Sequence, residues 1–578
     1  MKLVRVLLHI LSLILLARDV EAQDLVPCDA ELVSLTVSDT TEALELSDAL
    51  NCTGAGEFHV IWTGHVEISQ TFRLSDGATL SITSGDSSIT SVQADASSPS
   101  AVVDGGGVVQ LFSVLGGSKL NLNGVSLMNS IGNHGAAVHA ERDSEITIFG
   151  GTIAENHGTS EGALHAENSK VMIDGTTLFA NNTAGSSGGA LTMENSTLDI
   201  TGEAYFTDNV AVSGGAISIK HSTVTIAGVA HFTGNVAILE ETATLEETAT
   251  FEDGASSGGA ISIMDGSMLN TSGEVHFAEN MALLGNGGAI YASGTSGSVG
   301  EVVVANEEVH DEVITSGVVV LGGATFFRRN EAENGGAIYA EDDLHLELAD
   351  ETSFDHNEAA FGGGAIFSKD CASLDLAGET TFQHNIAGEI GGGLHDQRSP
   401  ISVHGVIYFT NNTAEPEGIW TGRGGAMTLW ESETIVLGEA HFRNNKGGFG
   451  GALNIFFCHV FMEGIMSFMD NDALSGGALY AQWANVTVAG DASFVGNVAE
   501  ANGGAIYANL ESTVDVHGDL YFRDNEAENG GDIFVTGRSN VIVAGDAYSG
   551  AQRRAKKAGL LLLIIGQAAF WAGGWGGW

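Results

Sequence analysis

Short runs in which apolar and polar residues alternate follow one another along most of this chain. Between Gly214 and Asn235 there are three such runs, at 216–220, 223–227 and 229–232, and each is rich in β-branched residues. Alternation with a period of two predicts β-strands, because successive side chains of a strand point to opposite faces. No stretch between residues 55 and 545 shows a sustained apolar stripe with the period of a helix. The chain is therefore predicted to be all-β.

The same arrangement returns at a nearly constant interval. The second glycine of a turn recurs from residue 135 to residue 531, and most successive occurrences are 26–29 residues apart. Such a period predicts a solenoid, in which each repeat buries its apolar face against its neighbours. Three strands per repeat close one coil, and parallel connections favour the right hand. We therefore predict a right-handed parallel β-helix, a pectin-lyase-like solenoid, with roughly 15–18 coils.

Each interval contains two tetrapeptides, Phe-x-x-Asn and Gly-Gly-Ala-Ile or a close variant. The phenylalanine is predicted to point inward and to stack on the next coil, stabilising the fold by about 1.5–3 kcal/mol per ring. The asparagine is predicted at a corner, where its amide bonds the backbone or the next asparagine, and the glycines allow positive φ. We assign a structural role to these residues, represented by Phe206, Asn209, Gly214, Gly215, Phe327, Asn330, Gly335, Gly336, Phe494, Asn497, Gly503 and Gly504.

The paired recurrence of these tetrapeptides, from about Ser126 to Ile533, resembles the repeats of the chlamydial polymorphic outer membrane protein (Pmp) family. The resemblance implies a secreted, surface-displayed β-helix that acts in adhesion, and it brings no catalytic residues. Members of that family also carry a C-terminal membrane barrel, whereas only about 45 residues follow Gly531 here, too few for such a barrel. In this respect the chain is more similar to repeat proteins of eukaryotic algae and other protists.

Composition divides the chain into four parts. Residues 1–22 have the basic, apolar and small-residue regions of a signal peptide,. Residues 23–125 lack the full motif but keep strand-like alternation, and we interpret them as N-terminal capping coils. Residues 126–545 are the regular repeats, with insertions near 238–257, 293–323 and 414–423. Residues 546–578 combine a basic cluster with an apolar run, which fits a GPI-attachment signal, a transmembrane anchor or an erroneous gene model.

The charge balance narrows the choice of partners. The formal net charge is −52, from 73 acidic and 21 basic residues, and such a surface repels nucleic acids and anionic membranes. The acidic residues are scattered, so we expect a solvated face and predict no cofactor. Weak surface binding of Ca²⁺, for example by Glu341, Asp342 and Asp343, is the one exception that we retain.

Cysteines and glycosylation sequons fit an extracellular or cell-surface location, or the outer membrane and cell envelope if the source is bacterial. Cys28 and Cys52 are candidates for a disulfide in the N-terminal coils. Cys371 and Cys458 lie about three coils apart, too far to bridge, and are expected to be buried singly. The six candidate N-glycosylation sites are Asn51, Asn181, Asn195, Asn270, Asn411 and Asn485,.

Candidate catalytic residues are few and lie at unlike positions in their repeats. The acidic and histidine residues that we considered are the pair Asp355-His356, and Asp396 beside His395 and near Arg398. Hydrolases and lyases of polysaccharides need carboxylates at fixed separations, and no such pair recurs on one wall. A second set, His231, His276, His384 and His441, is expected to be a column of surface histidines. We assign no catalytic, cofactor or metal residues.

Two hypotheses follow from the sequence. The leading one is a non-enzymatic cell-surface or extracellular protein, an adhesin or a wall or matrix component that recognises glycans or other proteins. The alternative is a polysaccharide lyase or glycosidase on the same fold. The regular repeat without convergent chemistry favours the first.

Overall fold

The computed structural model describes residues 33–50, 56–85, 101–238, 258–294, 317–414, 422–545, 547–549 and 562–565. The strands form three sheets of 34, 14 and 16 members, and nearly all neighbouring strands are parallel. The 16-stranded sheet gives one strand to each of 16 turns of a β-solenoid, which confirms the predicted all-β coil architecture. The predicted signal peptide, Cys28, Cys52, Asn51, most of each predicted insertion and most of the tail lie outside the described residues.

One regular coil contains four strands on three faces. Ile217–Lys220 lies on the first face, Thr223–Ile226 and Val229–Thr233 lie on the second, and Val236–Ile238 lies on the third. The sequence predicted only the first three of these strands. The fourth is too short for an alternation to be recognised, because it has three residues here and only two in several other coils.

The strands of the first face are Phe72–Leu74, Phe112–Leu115, Val138–Glu141, Leu164–Glu167, Leu191–Glu194, Ile217–Lys220, Ile261–Met264, Ile290–Ser293, Ile338–Glu341, Ile366–Lys369, Leu394–Gln397, Met427–Trp430, Leu453–Phe456, Leu479–Gln482, Ile506–Asn509 and Ile533–Val535. Those of the third face are Ile131–Gly132, His157–Gly158, Thr183–Ala184, Val210–Ala211, Val236–Ile238, Met281–Leu283, Glu331–Asn334, Glu358–Gly362, Ile386–Ala387, Thr413–Ala414, Lys446–Phe449, Asp472–Ser475, Val498–Asn502 and Glu526–Asn529.

The second face is the largest sheet, because most coils give it two strands. Its strands are Val33–Val37, Glu57–Trp62, Gly64–Glu67, Thr79–Ser84, Ala101–Asp104, Lys119–Asn123, Ser126–Met128, Glu145–Ala154, Lys170–Ala180, Thr197–Ile200, Glu203–Thr207, Thr223–Ile226, Val229–Thr233, Met268–Thr271, Val275–Ala278, Val318–Leu321, Thr325–Arg328, His345–Leu348, Thr352–Asp355, Ser373–Leu376, Glu379–Gln383, Ile401–Val403, Val406–Thr410, Glu433–Val436, Glu439–Arg443, His459–Met462, Met466–Met469, Asn485–Val488, Ala492–Val495, Thr513–Val516, Leu520–Arg523, Asn540–Val543, Ala547–Ser549 and Leu562–Ile565. The last of these pairs antiparallel with Asn540–Val543.

A continuous stack of phenylalanine rings runs through the interior. Phe206 is fully buried and lies 4.7 Å from Phe232, ring centroid to centroid, with an interplanar angle of 4°. Phe327 and Phe494 occupy the same position in later coils and are also buried. Burial of one large ring per coil removes a constant apolar area from water, so each coil stabilises its neighbours.

A ladder of buried asparagines follows the corner between the second and third faces. The Asn209 amide Nδ2 donates to the Phe179 carbonyl at 3.0 Å and to Asn235 Oδ1 at 3.0 Å. Asn330 and Asn497 make the same two kinds of hydrogen bond in their own coils. The left-handed backbone conformation falls on the residue before each asparagine, for example Asp208 at φ 53° and Arg329 at φ 53°. The asparagine therefore acts through its side chain.

The two glycines of the turn have different reasons to be glycine. The first adopts positive φ: Gly214 at 63°, Gly335 at 61° and Gly503 at 62°, a region that side chains disfavour. The second faces the next coil, where a Cβ on Gly336 would lie 2.3 Å from the Gly364 carbonyl oxygen. The equivalent clashes at Gly215 and Gly504 are at 2.2 and 2.1 Å. Close coil stacking requires the second glycine.

A second ladder, which the sequence analysis missed, follows the corner between the first and second faces. The backbone N–H of Ser196 donates to Ser222 Oγ at 2.9 Å, and that of Ser222 donates to Ser267 Oγ at 3.2 Å. Cys371 and Cys458 occupy this position in their coils, and both are buried free thiols. In many coils a serine directly precedes the first second-face strand, as Ser196 precedes Thr197–Ile200 and Ser222 precedes Thr223–Ile226, and these serines were the available sequence signal.

One α-helix, Thr40–Leu50, packs at the N-terminal end of the described coils. Asp39 caps it, since its Oδ1 accepts hydrogen bonds from the backbone N–H groups of Thr41 and Glu42. Asp followed three residues later by Glu is a helix-start signal, and the sequence analysis missed it. Among the described residues, no helix has the length and apolarity needed to cross a membrane.

Candidate functional site

Asp396, one of the acidic residues considered as catalytic, points into the solenoid. It is the third residue of Leu394–Gln397 and is fully buried. Ser368 Oγ donates to its Oδ1 at 2.5 Å, and Ser432 Oγ donates to its Oδ2. Burial raises the pKa of Asp396 to about 6, although the serine hydroxyls act in the opposite direction,. A polymer in solvent cannot contact this carboxylate.

The residues near Asp396 in sequence do not converge with it. His395 faces the other side of its strand, where it is 4% exposed and makes an edge contact with Phe367. Burial lowers the pKa of His395 to about 3. Arg398 donates two hydrogen bonds of 2.6 Å to Asp370, and this pairing lowers the pKa of Asp370. The three residues therefore form no common site.

Asp355, His356 and His384 do converge, at the left-handed corner position of two adjacent coils. Their potential ligand atoms all lie within 4.8 Å of one another. The other histidines of the predicted column lie on the second face instead: His231 stacks on His276 at 4.8 Å, and His441 stacks on Tyr408 at 5.1 Å. The predicted single column is thus divided between a corner and a strand.

A cluster that the sequence analysis did not single out lies near the N-terminal coils. Nδ1 of His139 and Nδ1 of His165 are 3.1 Å apart, and Nε2 of His139 lies 2.8 Å from Glu141 Oε1. The His134 ring lies 5.7 Å from that of His165, and Nδ1 of His134 is hydrogen-bonded to Glu161. Burial, followed by the charges of His139 and His134, lowers the pKa of His165 to about 3.

Of the three acidic residues considered for Ca²⁺, Glu341 accepts hydrogen bonds from two tyrosines. The Tyr291 and Tyr339 hydroxyls donate to the two carboxylate oxygens of Glu341, at 2.6 and 3.0 Å. Burial, followed by the charge of Glu341, raises the pKa of each of these tyrosines. Asp342 and Asp343 follow in a left-handed turn, with φ of 58° and 57°.

A partly exposed cluster of four aromatic residues, Trp430, Phe456, Phe457 and Trp483, lies beside Arg423, and we call these five residues the aromatic patch. The Phe457 and Trp483 rings are nearly parallel, at 4.8 Å and 6°, and are 44% and 39% exposed. Trp430 and Phe456 pack beside them at 4.8 Å from each other. The Arg423 guanidinium carbon lies 5.7 Å from the Trp430 ring centroid, within cation–π range. The aromatic patch therefore presents apolar ring surface and the Arg423 cation to solvent side by side.

Backbone geometry at the aromatic patch is unusual. Phe457 has φ 56° and Trp483 has φ 49°, although bulky residues strongly disfavour this region. The preceding coils carry Arg398 and Glu431 at the equivalent position, in the same conformation. Conformations of this kind cost about 1–3 kcal/mol each, and corners of successive coils adopt them, so the distinguishing feature here is the bulk of the two rings. The sequence alone did not show that these two aromatic residues occupy a strained, outward corner.

The described glycosylation sequons differ in exposure. Asn181, Asn195 and Asn485 are exposed, whereas Asn270 and Asn411 are half-buried. Asn181 and Asn411 directly precede the buried ladder residues Asn182 and Asn412. Each therefore faces outward although its neighbour faces the interior.

Comparison with known proteins gives one match. Residues 491–509 match the family model described as the Chlamydia polymorphic membrane protein (Chlamydia_PMP) repeat. The matched segment contains the Phe494-x-x-Asn497 and Gly503-Gly504 motifs. No curated protein and no solved structure matches the chain. The chain is thus similar to this membrane-protein repeat over one coil.

Proposed function

We propose that this protein is a secreted, surface-displayed and non-enzymatic binding protein that adheres to extracellular glycans through the aromatic patch. The β-solenoid and the similarity of one coil to a repeat of polymorphic membrane proteins support a surface or adhesin-like role. The observation that carries the proposal is the stacked, partly exposed Phe457–Trp483 pair on a left-handed backbone. Phe457 and Trp483 both stay exposed although their backbone conformation is strained. Exposed apolar rings at strained positions support a role in contact with a ligand.

The chemistry of the aromatic patch suits a sugar ring. An aromatic face carries negative charge density, so the C–H groups on one face of a pyranose pack against it favourably. Arg423 supplies hydrogen-bond donors beside the rings. Gln482, next to Trp483, supplies an amide that can both donate and accept hydrogen bonds. Asn485 and His459, which lie 3.4 Å apart by their side-chain nitrogens, add polar groups nearby. This combination favours neutral glycans, since the net charge of −52 repels acidic ones,.

The decisive experiment passes the purified chain over a panel of immobilised polysaccharides and measures both retention and new chain ends. Retention without new reducing or unsaturated ends supports the proposal. Turnover would favour the alternative, a polysaccharide lyase or glycosidase. The interior position of Asp396 removes one of the two acidic candidates for that alternative, since its carboxylate is fully buried.

We expect Trp483→Ala to weaken glycan retention by roughly tenfold or more, because loss of a central aromatic contact costs about 2 kcal/mol. Trp483→Phe should keep most of the binding, since a ring remains to stack on Phe457. The matched control is Phe149→Ala, which removes a single aromatic residue, 52% exposed, from a distant coil. Equal retention of the wild type and Trp483→Ala would contradict the proposed site.

A further inference from the structure

We propose that Asp355, His356 and His384 form a binding site for a divalent transition-metal ion of the zinc class. Carboxylate oxygen and imidazole nitrogen are ligands of Zn²⁺, bound at about 2.0–2.2 Å. The three groups come from two successive coils, and the site is independent of the proposed glycan surface. Within the part of the chain that the structure describes, these are the residues whose His, Cys, Asp or Glu ligand atoms approach closely enough to share an ion.

The distances are close to those of a coordinated set. Asp355 Oδ1 lies 2.6 Å from Nδ1 of His356 and 3.6 Å from Nδ1 of His384. Ligands at zinc distances are roughly 3.0–3.5 Å apart in octahedral or tetrahedral geometry. The ligand atoms all lie within 4.8 Å of one another, so side-chain shifts of about 1 Å convert the observed arrangement into a metal site. The His356 and His384 rings already stack at 4.6 Å.

Backbone geometry holds both imidazoles on the same corner. His356 and His384 occupy the left-handed position that precedes the buried Asn357 and Asn385, with φ of 56° and 54°. The ladder asparagines lock this corner in every coil, so the two histidines stay one coil apart. A site fixed by two regular coils needs little reorganisation when it binds an ion.

The surrounding groups leave the Nδ1 lone pair of His384 free, whereas Nδ1 of His356 would exchange its hydrogen bond with Asp355 Oδ1 for the metal ion. Nδ1 of His384 is shielded from solvent and has no hydrogen-bond partner. Its Nε2 lies 3.0 Å from the Asn411 side-chain amide, and an amide turned with Oδ1 toward Nε2–H leaves the Nδ1 lone pair for a metal. The Arg328 Nε lies 3.7 Å from Asp355 Oδ2, so the arginine faces the other carboxylate oxygen. Remaining coordination positions are open to water.

The test is calorimetric titration of the full chain with ZnCl₂ at pH 7.5, with the wild type compared with His384→Gln and Asp355→Asn. We expect wild-type binding at this site, and a loss of affinity of at least about 10–100-fold in both variants. Excess Ca²⁺ should not compete, because Ca²⁺ prefers six to eight oxygen ligands. Binding should also weaken as the pH falls, because protons compete with the metal ion for its ligand atoms.

The matched control is the double variant His231→Gln, His276→Gln. These histidines stack across adjacent coils at 4.8 Å, and only His276 has a described carboxylate partner, Glu274 at 2.8 Å. Zinc binding should survive in this control. Unchanged binding in His384→Gln and Asp355→Asn would overturn the proposal, and so would loss of binding on His139→Gln, which would move the site to the other histidine cluster. Thermal unfolding of each apo variant shows whether the fold is intact.

Discussion

Replacing Asn357 by leucine is expected to destabilise the coils around it by about 3–5 kcal/mol, since several buried polar groups are left unpaired at about 1–3 kcal/mol each. Oδ1 of Asn357 accepts hydrogen bonds from the backbone N–H and Nδ2 of Asn330, at 3.0 and 2.9 Å. Its Nδ2 donates to the Phe327 carbonyl at 3.1 Å and to Asn385 Oδ1 at 3.0 Å. Leucine has a similar size but replaces none of these bonds.

The measurement is hydrogen exchange followed by mass spectrometry, because a long repeat array does not always unfold in two states. Protection should fall most in peptides that contain Phe327, Asn330 and Asn385, one coil to either side. The control is Glu358→Ala, which changes the adjacent exposed residue and should alter protection little. Similar exchange in the two variants would show that the ladder contributes little to stability.

Much of the fold was predictable because its determinants recur. Phenylalanine, asparagine and paired glycines return in each coil, and period-two alternation fixes which strand residues face inward. The third-face strands were missed because many of them have only two or three residues, too few to show a period. The helix Thr40–Leu50 was missed although Asp39 and Glu42 give a capping signal,. Because this helix lies outside the repeats and occurs once, no recurring pattern in the sequence could strengthen its prediction.

The candidate sites were less predictable, and Asp396 shows why. Strand alternation from the inward Leu394 places Asp396 on the inward side, so the sequence contained the signal that this acid is buried. The aromatic patch and the Asp355 cluster depend instead on corner positions, where φ is positive and no alternation applies. They also join residues 26–29 positions apart in sequence, which approach only when the coils stack.

The buried carboxylate gives the second large effect, a change in the pH dependence of stability. The pKa of Asp396 is about 6 in the folded chain and about 3.9 in an unfolded one. Below about pH 4 the group is protonated in both states. As pH rises from about 4 to 6, the unfolded chain releases this proton first, so the free energy of unfolding falls. Above pH 6 the folded state carries the full cost of a buried charge, on the order of 3 kcal/mol at about 1.4 kcal/mol per pKa unit.

Asp396→Asn should therefore raise the unfolding temperature of the surrounding coils at pH 8 and change it little at pH 4. Asparagine fits the existing bonds, because its Nδ2 can donate to Ser432 Oγ while the Ser432 hydroxyl donates to the Trp430 carbonyl, 3.1 Å away. Asp370→Asn is the contrasting control: Arg398 lowers the pKa of Asp370, so this change should cost a little stability at pH 8. If Asp396→Asn destabilised the coils equally at both pH values, the buried acid would act as a required hydrogen-bond acceptor. The serines around it would then have been selected to hold a charge inside the solenoid, where the structure otherwise places apolar side chains.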